Sequence, residues 1–121
     1  MYTERHVVAV TTAADGTATA YTPVVSGRVL AIHYLKTDFT DGVDFTVTAE
    51  ATGEGLWTEV NVNAAKSVYP RAAVHDVAGV AATLDGTRAM RDAVALAHDR
   101  VKIVVAAGGA AKTGTFHVVI G

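Results

Sequence analysis

The chain has 121 residues, with ten Lys+Arg against twelve Asp+Glu and a net charge of −2. That length holds one core, so residues 1–121 are expected to form a single domain burying roughly two-thirds of the surface its unfolded chain exposes. Half the residues are hydrophobic and 18% are charged, which excludes a disordered chain; the missing basic surplus removes the electrostatic footprint of nucleic-acid binding, and zero cysteines exclude disulfides, Cys-ligated zinc and thiol catalysis.

In chain order, Met1–His6 lacks the basic start of a secretion signal, and Val7–Val10 is too short for its apolar run. No stretch reaches the roughly 18 apolar residues of a membrane helix, so a cytoplasmic origin with no membrane partner is expected. His6–Thr11 predicts a first strand. Asp15-Gly16 and then Thr17–Thr22 predict its return as a β-hairpin, because Asp-Gly supplies the positive φ of a tight connection. Pro23 ends that pairing or marks an edge. Arg28–Lys36 predicts a third strand, with Val29–Ile32 covered on both faces.

Asp38–Gly42 reads as a turn. Val43–Ala51 alternates, with Phe45, Val47 and Ala49 against Asp44, Thr46, Thr48 and Glu50, the pattern of a half-buried antiparallel strand. Leu56–Val62 resumes after Gly53-Glu54-Gly55, with Trp57 and Glu59 on one face. Tyr69-Pro70 predicts extended chain, Ala72–Val74 a short strand and Ala78–Asp85 a loop. Thr87–Ala97 fits either period; its β surroundings favour a strand over Ala93–Ala97. Arg100–Ala106 places Val101, Ile103 and Val105 inward, and Thr115–Ile120 places Phe116, Val118 and Ile120 inward. The whole predicts an all-β antiparallel sandwich, jelly-roll-like, of about eight strands.

Chemistry is sparse. Gly108–Thr113 has Ala111 where a phosphate loop needs glycine, and a strand rather than a helix follows. His6, His33, His75, His98 and His117 contain no His-x-His pair; His6, His33 and His117 read as exposed or interface side chains. Asp38, Asp41 and Asp44 are spaced like cation ligands, but aspartates also cap turns by bonding their own backbone. Ser26 precedes a turn glycine, and Ser67 lies outside any Gly-x-Ser-x-Gly. His98 and Asp99 point to opposite faces of a strand. Trp57 with Tyr34 or Tyr69 is the one aromatic set for stacking a sugar, although a lone tryptophan is more often a core or interface anchor. No catalytic, cofactor-binding or metal-ligating residue is assigned, and no enzyme activity is expected.

Thr3–Val7, Gly27–Tyr34, Leu56-Trp57, Asp99–Val105 with Gly108-Gly109, and Lys112–Val118 together resemble the jelly-roll cementing, or decoration, proteins of tailed-phage capsids. That resemblance implies a non-enzymatic virion protein on the capsid exterior, assembled in the host cytoplasm. Its partners would be the major capsid protein and itself, as homodimer or homotrimer. Another phage part (tail, baseplate or head–tail joining protein) and a carbohydrate-binding β-sandwich module are the alternatives. The edge contacts are expected at His6–Thr11 and Thr115–Ile120, since strand edges pair readily with another chain.

Overall fold

The computed structural model describes residues 2–121, and among them it contains eleven strands and no helix. In chain order these are β1 (Glu4–Thr11), β2 (Ala18–Tyr21), β3 (Val25–Lys36), β4 (Val43–Ala49), β5 (Gly55–Val62), β6 (Lys66–Val68), β7 (Ala72–Ala73), β8 (Arg91–Asp92), β9 (Val94–Asp99), β10 (Val101–Ala106) and β11 (Thr113–Ile120). One sheet runs β1-β11-β3-β6, with β9 also on β3; the other runs β2-β10-β4-β5, and every pairing is antiparallel.

The chain crosses from one main sheet to the other at nearly every connection; among the described residues only β4 and β5 are consecutive neighbours within a main sheet, and β7 pairs with β8 in a small ladder of its own. β6 pairs with β3 at Ile32–Tyr34 and β9 pairs with β3 at Val25–Val29. The two therefore share one strand position, interrupted by residues 69–93. Counting that position once gives two four-stranded sheets in the order of a jelly roll. The expected sandwich is thus the observed one; the surplus over eight strands comes from the split position and the small β7–β8 ladder.

Two expectations fail, both over pairing. The segment after Asp15-Gly16 does not return along β1: β1 pairs over eight residues with β11, while β2 pairs with β10 in the other sheet. The turn itself forms, with Ala13 N–H bonded to Thr17 O at 2.9 Å and the Asp15 carboxylate holding Thr17 N–H at 3.1 Å. The four-residue β2 offers β1 only half the ladder that the eight-residue β11 supplies, so the long strands pair and the turn becomes a bridge between sheets. For the same reason β11 lies between β1 and β3, and of the two expected edges only β1 is one. The ambiguous stretch before Arg100 is a strand, β9.

The inward residues expected from alternation are all buried: Phe45, Val47, Val101, Ile103, Val105, Phe116, Val118 and Ile120. An aromatic group fills the middle. Phe116 lies 4.9 Å from Phe45 and 5.3 Å from Tyr34 between ring centroids, and Phe45 lies 5.4 Å from Trp57. Phe39, in the segment expected to be only a turn, is also buried and lies beside Tyr34. Its ring occupies the space where Gly114 on β11 would carry a Cβ; that atom would fall 2.4 Å from the Phe39 ring. Thr22 and Asp99 are buried and matched: Thr22 Oγ1 accepts the Val101 N–H at 3.0 Å, and the Asp99 carboxylate accepts the Ala51 N–H at 3.0 Å; the Tyr34 hydroxyl is buried without a hydrogen-bond partner, an arrangement that costs stability. At the open end of the sandwich, Lys66 Nζ on β6 reaches Glu59 Oε2 on β5 at 2.6 Å. That contact and the Trp57 indole hold the Glu59 carboxyl below its ordinary range.

Phe116→Ala removes the central ring of this group and is expected to destabilise the domain by about 3–5 kcal/mol in denaturant unfolding; an unchanged midpoint would place the ring outside the core. Gly114→Ala drives a methyl into Phe39 and is expected to cost about 1–3 kcal/mol by overpacking, a loss that the double variant Gly114→Ala/Phe39→Leu should partly recover.

Candidate functional site

The residues singled out for chemistry are dispersed. Asp38 caps the start of β11 by accepting the backbone N–H and hydroxyl of Thr113, which hold its carboxyl below the ordinary range. Asp41 pairs with Lys36, and Asp44 accepts the Asn61 N–H at 3.0 Å. The three carboxylates thus turn to three different partners, and no three His, Asp or Glu side chains converge among the described residues. Ser26 Oγ accepts the His98 N–H at 2.9 Å across the bulge where β3 and β9 slip register. Asp99 is buried and His98 exposed, on opposite sides as expected. Gly108–Thr113 leads into β11, and Gly108 donates its N–H to Gly16 O and accepts from Thr40. Trp57 is 7% exposed and Tyr34 1%. The aromatic platform therefore does not form: two of its three rings belong to the core, and only Tyr69 is exposed.

One polar group was not foreseen. His33 on β3 and His117 on β11 are register partners on the outer face of the five-stranded sheet. His117 Nδ1 bonds Arg5 Nη1 of β1 at 3.0 Å, and His33 Nδ1 bonds Ser67 Oγ of β6 at 2.6 Å. Tyr69 meets the His33 ring edge-on at 6.3 Å. Period-two reading put His33 and His117 outward, but which strands would neighbour them is a matter of pairing. Partial burial, then the Arg5 guanidinium and then His33 lower the His117 pKa. His6 is different: it is half-buried in the inward alternation of Val8 and Val10, with Nε2 3.4 Å from Glu4. A shallow groove of about 300 Å³ lined by Tyr2, Glu4, Ser26, Ile120 and Gly121 lies at the foot of the same sheet.

The largest departure from a closed sandwich is the insertion between β6 and β9. Residues 71–92 contain no buried side chain. They form an arm with two tight tips. Val74 N–H bonds Met90 O at its root, and Ala82 N–H bonds Val74 O in its middle. The Asp76 carboxylate takes the N–H groups of Ala78 and Val80 at the first tip; the Asp85 carboxylate takes Thr87 and Arg88 at the second. These bonds lower the Asp85 pKa, the Arg88 N–H foremost. Val77 at the first tip is fully exposed, and Val80, Leu84 and Met90 are exposed with it.

No family model matches this chain, and neither does any curated protein or solved structure.

Because the folded protein holds the His117 proton less tightly than the unfolded chain does, the unfolded state takes up more protons as pH falls through the ordinary histidine range. Stability is accordingly expected to drop between about pH 7.5 and about pH 5.5. His117→Gln should flatten part of that slope in melting curves; an unaltered slope would assign it to other groups.

Proposed function

We propose that this chain is a structural protein of a tailed-phage virion, one that binds the outside of the capsid shell and stabilises it. The assignment to a phage head rests on the resemblance carried by Gly27–Tyr34, Asp99–Val105 and Lys112–Val118. The observation that supports an assembly role is the arm. A jelly roll whose core is closed by its own two sheets spends 22 further residues on a segment that buries nothing and displays Val77, Val80, Leu84 and Met90. Exposed apolar side chains gathered on one ordered segment mark a protein-contact surface. On this reading the partners are the major capsid protein and further copies of the chain, and the protein performs no catalysis. Single small contacts bind weakly, so the clamp draws its strength from many copies acting together.

The test is to add purified protein to capsids assembled without it, then image and heat them. Saturating, symmetric occupancy of the outer surface and a raised disruption temperature are expected. Protein that stays in solution, or that occupies only the tail of intact virions, would contradict a head-decorating role.

A further inference from the structure

We infer that the outer face of the five-stranded sheet, around Arg5, His33 and His117, docks a protein surface that presents an aspartate or glutamate side chain, and that this docking takes up a proton. The inference rests on the assembly reading above and adds the face used and the chemistry of the surface it meets.

The hydrogen bonding selects an anion. A guanidinium has donors only, so His117 Nδ1, 3.0 Å from Arg5 Nη1, is the acceptor of that bond. The neutral ring therefore carries its hydrogen on Nε2 and offers a donor there. A metal ion bound at Nε2 would require the hydrogen on Nδ1 instead, facing the Arg5 N–H, so the His33–His117 pair does not suit a metal while Arg5 stands beside it. A proton from solvent has a related effect. It enters at Nδ1, the atom that accepts from Arg5, and ends that bond. Arg5 is then released beside a charged imidazolium. A carboxylate is the group that pairs with both, meeting the guanidinium through its planar fork.

Charge and surroundings say what carries that carboxylate. Glu4 on β1 and Asp99 on β9 are the only acidic residues on the five strands of this sheet among the described residues. Glu4 lies in the inward alternation, 3.4 Å from His6, and Asp99 is buried. Facing His117 are instead Arg5 and Val7 from β1, His33 and Leu35 from β3, and Ser67 beyond His33 from β6. A face without a carboxylate, in a chain with twelve acidic residues, is complementary to an acidic partner. Val7 is 60% exposed and Leu35 46%, so the polar centre has apolar flanks, which fit a folded protein surface. A nucleic acid or an anionic membrane is held by many cations, whereas this group sets one guanidinium beside two imidazoles. Partial burial, then Arg5 and then His33 make the free protein hold the His117 proton loosely. A docked carboxylate opposes all three, so by linkage the complex tightens as pH falls from about 7.5 to about 5.5, a range in which the carboxylate itself stays charged.

The experiment is imidazole NMR of the full chain titrated with hexaglutamate. The peptide is expected to shift the His33 and His117 ring signals, to raise the apparent His117 pKa, and to bind several-fold more tightly at about pH 5.5 than at about pH 7.5. Arg5→Gln should abolish the shifts, and Arg5→Lys, which keeps the charge and loses the fork, should weaken binding several-fold. His117→Gln should remove the pH dependence. Lys102→Gln, on β10 of the other sheet, removes the same charge as Arg5→Gln and should change nothing. Equal binding at the two pH values, wild-type shifts in Arg5→Gln, a loss in Lys102→Gln as large as in Arg5→Gln, or tighter binding of inorganic phosphate than of hexaglutamate would overturn the inference. Capsid binding of wild type and Arg5→Gln is measured separately. Capsids that hold the two alike would remove this face from docking and leave the decoration reading standing; Arg5- and pH-dependent peptide binding by a protein that ignores capsids would remove the decoration reading and leave the face.

Discussion

The contact of Phe116 with Phe45 and Tyr34 is the one on which the remaining architecture depends. Phe116 stands on β11, Tyr34 beside it on β3, and Phe45 on β4 of the facing sheet. Edge-on and tilted ring packing at these separations adds to the area the rings bury, and it fixes the two sheets face to face at their centre. Val101, Ile103 and Val105 of β10 and Val118 and Ile120 of β11 extend the same dry layer. Phe39 enters this layer from a loop, and Gly114 makes the room for it. The sandwich is thereby closed on itself and asks nothing of the segment inserted between β6 and β9.

The strands were legible wherever one face is buried and the other is wet. β4, β10 and β11 alternate without a break, so period two reveals both the element and its inward set. Pairing was not legible, because it is decided by partners distant in sequence. Asp15-Gly16 carries a sound local hairpin signal, and the turn does form there. Strand length sends β1 to β11 instead. β6 and β9, far apart in the chain, occupy one position on β3, and no local pattern marks that. Phe39 sits among aspartates and reads as turn; its burial follows only from the glycine opposite it.

The arm was hidden for a related reason. Asp76, Gly79, Asp85 and Gly86 are turn residues whether a loop lies flat on the body or stands away from it. Only the three-dimensional placement shows that no side chain between 71 and 92 is buried. The polar group on the outer sheet face has the same character. Arg5, His33, Ser67 and His117 come from four strands and meet because the jelly roll sets those strands side by side. In both cases the residues were visible and their neighbours were not.

The molecule divides into a body closed on its own packing and an arm, residues 71–92, that buries no side chain and is shaped by its own turn bonds. Amide hydrogen exchange of the full chain tests that division most directly. The core strands β4, β10 and β11 should exchange only through global unfolding, while the amides of Val74, Ala82 and Met90, bonded only within the arm, should exchange many-fold faster through local opening. Arm amides that exchange as slowly as those of the core strands would contradict it.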